Sequence, residues 1–269
     1  MQLDKVCAVV TGAGSGMGKA TAEALVKAGG KVCVVDFSKE RCEETVAALG
    51  SAAFYEVADV ADPVRAEEIV KAAVAKFGYV NVVVNCAGVG SGNRILPREG
   101  GVFPIETFKR VIDINLIGTF NYTCQGALAM SQAPENEDGE RGVIINTTSQ
   151  AKELGQIGQA AYSASKGAVD GMTMPIAREL ARVGIRINTI CPGLVSTNMS
   201  GVDQLGKPAR QMPPRPEGFV DSAAGDFIFP RRRGYANEFS SLALEIISNT
   251  LINGASFPLD GAIRFSPKW

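Results

Sequence analysis

The chain contains no histidine among its 269 residues. Without an imidazole, a Ser-His-Asp triad and a histidine-ligated zinc site are both excluded, and we expect no metal. Proton transfer near neutral pH then requires another side chain, one whose pKa has been moved by its surroundings.

Paired cysteines are missing as well. The six cysteines are scattered and form no C-x-x-C pair. Most lie in predicted strands or helices, which favours buried free thiols in a reducing compartment over disulfides.

Long apolar runs and a strong charge are also absent. No apolar run approaches the ~18 residues that a membrane span needs, and the first residues resemble the approach to a strand rather than a cleavable signal. The net charge of −1 gives no sign of a nucleic-acid partner. We expect no membrane or nucleic-acid partner and a cytoplasmic protein, or one of an organellar matrix if a transit peptide has been removed.

Strand-like and helix-like segments alternate along nearly the whole chain. Short β-branched runs without polar alternation indicate strands that are covered on both faces, as in a parallel sheet. The pattern predicts one α/β domain over 1–269, a doubly wound Rossmann domain with a seven-stranded parallel sheet and ligands at the carboxyl edge. The predicted strands are 6–11, 31–36, 53–59, 80–85, 142–149, 185–191 and 256–259, and the helices are 17–28, 39–49, 63–77, 104–131, 159–183 and 238–249.

Three segments interrupt this alternation. Residues 89–101 form a loop with Gly and Pro after the fourth strand, and residues 133–141 are acidic and predict a solvated connection. Residues 200–234 carry five prolines and follow a strand that ends at the ligand edge. We expect 200–234 to cover the substrate, the alternative being a partly disordered segment.

A glycine-rich turn lies between the first strand and the first helix. Gly12, Gly16 and Gly18 permit a tight turn whose N–H groups can approach a pyrophosphate at the helix N-terminus. Ser15 and Met17 lie in the same turn. Because a strand precedes the turn and a helix follows it, the motif predicts a dinucleotide site.

Asp36 ends the second strand and bears on the choice of cofactor. A carboxylate there accepts hydrogen bonds from the ribose hydroxyls of adenosine and repels a 2′-phosphate. Phe37 and Ser15 supply no positive charge where a phosphate would need one. The sequence therefore predicts NAD (NADH), with NADP disfavoured.

Two further strand ends complete the predicted cofactor site. Asp59 and Val60 end the third strand and suit contacts with adenine. The small residues at the end of the fourth strand let the main chain pass close to the ribose, and its asparagine amide either contacts the cofactor or braces neighbouring strands. That run is Asn85, Cys86, Ala87 and Gly88.

Tyr162 and Lys166 stand at positions i and i+4 of one predicted helix, so their side chains face the same way. The ammonium should favour phenolate over phenol and lower a pKa that starts near ~10. Ser149 ends the preceding strand at the ligand edge. Asn115 lies in a helix, where its amide competes with main-chain hydrogen bonds, so propensity does not explain it.

Together these motifs resemble the short-chain dehydrogenase/reductase family over nearly the whole chain. The resemblance implies that Tyr162 exchanges a proton with the substrate oxygen and that Ser149 orients that oxygen. It also implies that Lys166 lowers the tyrosine pKa and binds the nicotinamide ribose, and that Asn115 holds a water of the proton relay. The residues that would lie along the nicotinamide are Pro192, Val195 and Thr197.

Within the family, the chain is most similar to type 2 3-hydroxyacyl-CoA dehydrogenases, which are also described as 17β-hydroxysteroid dehydrogenases. The similar runs are 141–149, 155–162 and 259–264. This resemblance implies a substrate contact by Gln156, besides those of Ser149 and Tyr162, and a homotetramer. Residues 200–229 depart from the pattern, because they are longer and richer in proline.

These observations lead to one hypothesis with two alternatives. We expect an NAD-dependent oxidoreductase of secondary alcohols that acts on a 3-hydroxyacyl-CoA or a hydroxysteroid. One alternative is a dehydrogenase of another bulky cyclic or aromatic alcohol in a catabolic pathway. The other is an NAD-sensing binding protein that has lost turnover, although the intact Ser149, Tyr162 and Lys166 argue against it.

Overall fold

Seven parallel strands form the central sheet of the computed structural model, which describes residues 1–196 and 228–264. Strand β1 lies between β2 and β4, so the chain changes direction there and opens a crevice at the carboxyl edge. In sheet order the strands are β3 (Ala53–Val57), β2 (Lys31–Asp36), β1 (Cys7–Thr11), β4 (Val82–Asn85), β5 (Gly142–Thr147), β6 (Ile185–Pro192) and β9 (Ser256–Leu259). The predicted doubly wound Rossmann fold is confirmed.

Helices cover both faces of the sheet. They are α1 (Gly16–Lys27), α2 (Lys39–Leu49), α3 (Pro63–Phe77), α4 (Ile105–Ile112), α5 (Thr119–Met130), α6 (Ala151–Leu154), α7 (Ala160–Leu180) and α8 (Ala236–Ser248). Short 3₁₀ turns lie at Leu3–Lys5, Gly50–Ala52 and Ala181–Val183. In the described part of the chain, no helix is both long and apolar enough to span a membrane.

Local sequence signals explain where the helices begin and end. At the start of α3, the Asp62 carboxylate accepts hydrogen bonds from Val64 N and Arg65 N at 2.9 and 3.1 Å, and Pro63 supplies a preset φ. Gly78, with φ of 92°, ends the same helix. Helix α3 therefore has the bounds that its sequence predicts.

Two buried clusters hold the layers together. On one face of the sheet, Leu25 of α1 packs with Phe239 and Ile246 of α8. On the other face, Ile69 of α3 and Tyr122 of α5 pack against the same strands. Because both faces are covered, apolar residues occupy consecutive positions of β1, β2 and β4.

The predicted helix over 104–131 is helical from Ile105 to Met130, but it is not α-helical throughout. Helices α4 and α5 are separated by a π-helical segment, Asp113–Gly118. This wider turn changes the direction of the side chains in the middle of the helix. At its end Gly118 lies against Val60, since a Cβ on Gly118 would be 2.6 Å from Val60 Cγ2.

Two predicted strands end earlier than expected, at Val57 and Thr147. Polar side chains turn the chain at both places. Asp59 Oδ1 accepts a hydrogen bond from Ala61 N at 3.0 Å, and Ser149 Oγ accepts one from Ala151 N at 3.1 Å. Asp59 and Ser149 therefore stand in the turns beyond the strands.

Two smaller expectations also need correction. The connection 133–141 is not wholly solvated, because Glu140 is buried and pairs with Arg186 of β6 at 2.7 Å. Four cysteines are buried and Cys86 is partly so, but Cys124 is exposed on α5. All six are free thiols.

Candidate active site

The glycine-rich turn fits a dinucleotide. Gly12 and Gly16 have φ of 64° and 55°, in the left-handed region that favours glycine. A Cβ on Gly12 would lie 2.7 Å from Ala87 N, so glycine lets the turn approach the end of β4. Ser15 precedes α1 without capping it through its side chain, and the helix N-terminus is therefore suited to a phosphate.

Asp36 is buried beside this turn. Its Oδ2 accepts a hydrogen bond from Gly14 N at 3.0 Å, and its Oδ1 accepts one from Ser38 N at 3.1 Å. These two bonds fix the carboxylate, and each oxygen can accept a further hydrogen bond. The position suits the predicted contact with ribose hydroxyls.

Arg41 brings a positive charge to the adenosine side of the site, which the sequence analysis missed. Its Cβ lies 2.8 Å from where a Cβ on Gly14 would stand, and its guanidinium carbon lies 5.9 Å from the centroid of the Phe37 ring. The prediction considered only Phe37 and Ser15. Arg41 is in the first turn of α2, where its N–H donates to Ser38 Oγ at 3.4 Å. The N-cap residue Ser38 was therefore the sequence signal that could have placed Arg41 beside Asp36.

Asp59 is held by a partner that the sequence did not indicate. Its Oδ2 accepts a hydrogen bond from Arg110 Nη1 of α4 at 2.9 Å, while its side chain stays partly exposed. Val60 is buried, and its carbonyl accepts a hydrogen bond from Asn121 Nδ2 at 3.0 Å. Both residues stand at the carboxyl edge of β3, as predicted.

Asn85 acts as a brace between strands. Its Nδ2 donates to Asn146 Oδ1 of β5 at 2.9 Å, and its Oδ1 accepts a hydrogen bond from Thr11 Oγ1 of β1 at 3.5 Å. The same threonine oxygen accepts a hydrogen bond from Ala87 N at 3.3 Å. Of the two predicted roles for Asn85, the geometry favours the structural one.

The main chain after Asn85 passes close to Lys166. A Cβ on Gly88 would lie 3.2 Å from Asn115 Oδ1 and 3.5 Å from Lys166 Nζ. Burial raises the pKa of the neighbouring Cys86 thiol to about 12. Cys86 is therefore a neutral side chain near Lys166, and the missing side chain of Gly88 leaves room there.

Lys166 is almost completely buried, at 4% exposure. Its Nζ donates to the carbonyl oxygen of Thr147 at 2.8 Å and lies 5.8 Å from the centroid of the Tyr162 ring. Burial lowers the pKa of Lys166 to about 8. Thr147 is thus a part of the site that sequence reasoning missed, because a carbonyl at the end of a strand leaves no mark in the sequence.

The expected fall in the pKa of Tyr162 is not observed. Burial raises the pKa of Tyr162, and a hydrogen bond with Ser149 opposes that rise without cancelling it. Burial dominates because it removes water that would solvate the phenolate. Burial thus moves the two groups in opposite directions, and Lys166 is the one whose proton is lost more readily than usual.

Asn115 ties a loop to the catalytic helix. It is fully buried in the π-helical segment. Its Oδ1 accepts a hydrogen bond from Val89 N at 2.8 Å, and its Nδ2 donates to Val89 O at 2.9 Å and to Ser165 Oγ at 3.0 Å. The amide is thus engaged by protein atoms, and the role of Asn115 in a water relay stays a prediction.

The far side of the site includes an unpredicted ribbon. Strands β7 (Val195–Ser196) and β8 (Gly234–Tyr235) pair in parallel. Pro192 is fixed by a hydrogen bond from Gln150 N to its carbonyl at 3.0 Å. Thr197 and residues 200–227 lie outside the described residues.

The remaining predicted substrate contact, Gln156, and an arginine near the pocket can also be located. Gln156 is partly exposed in the corner between α6 and α7, where its N–H donates to Gln159 Oε1 at 2.9 Å. Arg232 donates two hydrogen bonds to the Glu238 carboxylate, at 3.0 and 2.8 Å, and stacks 4.4 Å from the centroid of the Tyr235 ring. Arg232 therefore anchors the start of α8.

The catalytic and nicotinamide-side predictions converge on one pocket. Its lining residues are Met17, Cys86, Gly88, Thr147, Thr148, Ser149, Tyr162, Lys166, Pro192, Gly193 and Val195. Asp36 and Asp59 lie outside this lining, on the side of the predicted adenosine. The arrangement joins a dinucleotide turn to a Ser-Tyr-Lys set, which defines an oxidoreductase of secondary alcohols that uses a nicotinamide cofactor.

Comparison with known proteins agrees with this class. Residues 6–206 match the family model described as short chain dehydrogenase. The chain belongs to that family, as its motifs indicated.

Individual relatives are similar over nearly the full length. The chain is 41% identical over 261 residues to human 3-hydroxyacyl-CoA dehydrogenase type-2, covering 97% of this chain and 95% of the relative. The crystal structure of 3-hydroxyacyl-CoA dehydrogenase type-2 from Mycobacterium avium has a TM-score of 0.85 and 33% identity, with coverage of 97% and 96%. That of 3-ketoacyl-(acyl-carrier-protein) reductase from Brucella melitensis, complexed with NADH, has a TM-score of 0.79 and 27% identity, with coverage of 97% and 100%.

Proposed function

We propose that the protein interconverts a 3-hydroxyacyl-CoA, or a hydroxysteroid, and the corresponding ketone with NAD as cofactor. The observation that carries this proposal is that Ser149, Tyr162 and the buried Lys166 together line the wall of the dinucleotide pocket. The similarity to 3-hydroxyacyl-CoA dehydrogenases type-2 over nearly the whole chain supports the choice of substrate.

In alcohol oxidation, Tyr162 accepts the hydroxyl proton of the substrate while Ser149 hydrogen-bonds the same oxygen and orients it. Bound nicotinamide supplies the hydride-accepting ring. Lys166 hydrogen-bonds the nicotinamide ribose and, in its neutral form, takes up the proton that the reaction releases. Asn115 keeps the loop after β4 in place and orders a water that carries the proton onward.

The two pKa shifts predict how the activity depends on pH. The pKa of Lys166 is lowered to about 8 and that of Tyr162 is raised, so Lys166 is the first of the two to lose its proton. Below about pH 8 both groups are protonated, and neither can take up the proton that alcohol oxidation releases. Above it the neutral Lys166 amine can take up that proton, and alcohol oxidation is therefore expected to become faster as the pH rises through about 8.

NAD is favoured over NADP because the side chain of Asp36 is buried where a 2′-phosphate would lie. The residues proposed to hold the cofactor are the predicted set without Asn85, which braces the strands behind them. They are Gly12, Ser15, Gly16, Met17, Gly18, Asp36, Phe37, Asp59, Val60, 86–88, Tyr162, Lys166, Pro192, Val195 and Thr197. Arg41 weakens the exclusion of NADP. We expect kcat/KM to favour NAD by at least about tenfold, and equal values for NAD and NADP would refute this role of Asp36.

Self-association into a homotetramer is part of the proposal. Apolar side chains are exposed along α4, α5 and α7, at Ile105, Ile117, Phe120, Leu128 and Met174. The exposed residues 117, 120 and 128 follow helical spacing and form one face, the kind of patch that marks a protein interface. Light scattering should give four chains per particle, with Phe120→Glu reducing the assembly.

The protein is proposed to act in the cytoplasm or in an organellar matrix.

Residues 200–234 are proposed to cover the substrate. The described stem of this segment is anchored beside the pocket. Gly234 N donates to Leu194 O at 2.9 Å, next to Val195 in the pocket lining. A substrate that reaches Tyr162 would therefore pass close to this stem.

A substrate panel with NAD tests the proposed function directly. The panel contains 3-hydroxyacyl-CoAs of increasing chain length, hydroxysteroids and simple cyclic alcohols, and the readout is NADH absorbance. We expect the highest kcat/KM for a 3-hydroxyacyl-CoA. Turnover only of cyclic or aromatic alcohols would replace the proposed substrate, and cofactor binding without any turnover would indicate a sensor.

A further inference from the structure

A second lysine lies close to the catalytic residues but takes no part in the proposed chemistry. Lys152 is in α6, three residues after Ser149, and its side chain is only 13% exposed. Its Nζ forms an ion pair with Asp170 Oδ2 at 2.7 Å. The partner Asp170 stands on α7, four residues after Lys166.

Asp170 continues the line of catalytic residues along α7. Positions 162, 166 and 170 are each four apart and lie on one side of the helix. The second carboxylate oxygen, Oδ1, accepts a hydrogen bond from Ser256 Oγ of β9 at 2.6 Å. The Asp170 carboxylate is thus fixed between α6 and β9 while it stands on the helix that carries Tyr162 and Lys166.

The segment that Lys152 anchors carries both predicted substrate contacts. Ser149 immediately precedes α6, and Gln156 follows it. Lys152 N donates to Ser149 O at 3.0 Å, so Lys152 and Ser149 belong to one short turn. A shift of α6 relative to α7 would therefore move Ser149 away from Tyr162.

We propose that the Lys152–Asp170 ion pair, supported by Ser256, is a positioning device for the reaction. It holds the turn that carries Ser149 against the helix that carries Tyr162. This inference rests on the proposed role of Tyr162 and adds positioning residues to it. Neither Lys152 nor Asp170 touches the reacting atoms, so both act through the hydrogen bond between Ser149 and Tyr162.

The electrostatic surroundings allow a test that separates positioning from charge. Lys152 faces Asp170, Glu153 and Cys191. Tyr162 faces Ser149, Cys191 and Lys166. If only charge mattered, removing the cation of Lys152 would raise the pKa of Tyr162, and removing the anion of Asp170 would lower it.

If the ion pair acts by positioning, removing either partner shifts the pKa of Tyr162 in the same direction. In the wild type, the hydrogen bond between Ser149 and Tyr162 lowers the pKa of Tyr162. Lys152→Met and Asp170→Asn both loosen the turn that carries Ser149 and therefore weaken this bond. Both variants should therefore raise that pKa. Asparagine keeps an oxygen for the Ser256 hydroxyl, which limits other damage to the fold.

The experiment is a spectroscopic titration of the phenolate. Tyr162 is one of five tyrosines, and the difference in ultraviolet absorbance between each protein and its Tyr162→Phe counterpart isolates its ionisation. Lys152→Arg is expected to restore the wild-type titration, and the matched control is Lys71→Met. Lys71 pairs with Glu67 on the exposed surface of α3, far from the pocket.

Upward shifts in both Lys152→Met and Asp170→Asn, with none in the control, support the proposal. Opposite shifts, or no shift in either variant, overturn it. The titration needs no substrate, so its outcome is independent of whether the proposed substrate is correct. Where turnover is measurable, both variants should lower kcat by about fivefold with little change in the KM for NAD. The double variant should have a kcat no lower than that of the poorer single variant.

Discussion

Two lysines in the neighbourhood of Tyr162 show how differently the same side chain can be used. Lys166 is buried without an ion-pair partner among the described residues and donates to the carbonyl of Thr147. Lys152 is also largely buried but is paired with the Asp170 carboxylate. The first lies in the pocket lining, whereas the second lies outside it.

The partners explain the opposite directions of the two pKa shifts. For Lys166, burial lowers the pKa to about 8, since a neutral carbonyl compensates a buried charge incompletely. For Lys152, burial also pulls the pKa down, but the hydrogen bonds with Asp170 and Glu153 outweigh it and leave the pKa raised. A lysine that can release a proton near physiological pH serves proton transfer, and one that stays charged serves attachment.

The largest expected difference between the two lysines is in catalysis. Lys166→Met should lower kcat by about a thousandfold, because it removes the amine proposed to take up the proton and to bind the nicotinamide ribose. Lys152→Met should cost only about fivefold, because its effect passes through the position of Ser149. Steady-state kinetics of both variants with the same substrate measure the ratio. Equal losses would contradict the division between a catalytic and a positioning lysine.

A smaller difference is expected in stability, with an opposite sign for the two lysines. Below pH 8, Lys166 is protonated in both folded and unfolded chains, so folding carries the cost of burying the ammonium. Between about 8 and 10.5 the folded chain loses this proton first, and the stability of the wild type rises with pH. Lys166→Met should therefore stabilise the protein near pH 7, by roughly 1–3 kcal/mol, and less near pH 10.

Lys152 should behave in the reverse way. Its folded-state pKa lies above 10.5, so its ion pair stabilises the fold below that pH, and the contribution is lost as the pH rises through the folded-state pKa. Lys152→Met should lower the melting temperature at pH 7, by the equivalent of about 1 kcal/mol. Thermal melts of both variants at pH 7 and pH 10 provide the check. A Lys166→Met variant that is less stable than the wild type at pH 7 would contradict the cost assigned to burying the ammonium.

The sequence predicted the cofactor half of the molecule better than the details of the catalytic half. The turn at Gly12 and the end of β2 at Asp36 follow from local rules, since tight turns need glycine and buried parallel strands need β-branched runs. The bounds of α2, α3 and β9 were also correct, because caps and breakers mark them.

The remaining features depend on contacts between distant parts of the chain. The carbonyl of Thr147, the Arg110 partner of Asp59 and the pairing of Lys152 with Asp170 require the packed structure. The π-helical segment around Asn115 has no periodicity signal of its own. The direction of the Tyr162 pKa was wrong because i,i+4 spacing reveals a nearby lysine but not the loss of water on burial.

The central claim is that Tyr162 is the proton-transferring residue, and Tyr162→Phe tests it most directly. The change removes only the hydroxyl. With the best alcohol of the substrate panel and saturating NAD, the variant should lose about a thousandfold or more in kcat, while its affinity for NADH, measured by fluorescence, stays close to that of the wild type. A variant that keeps most of its kcat would contradict the account.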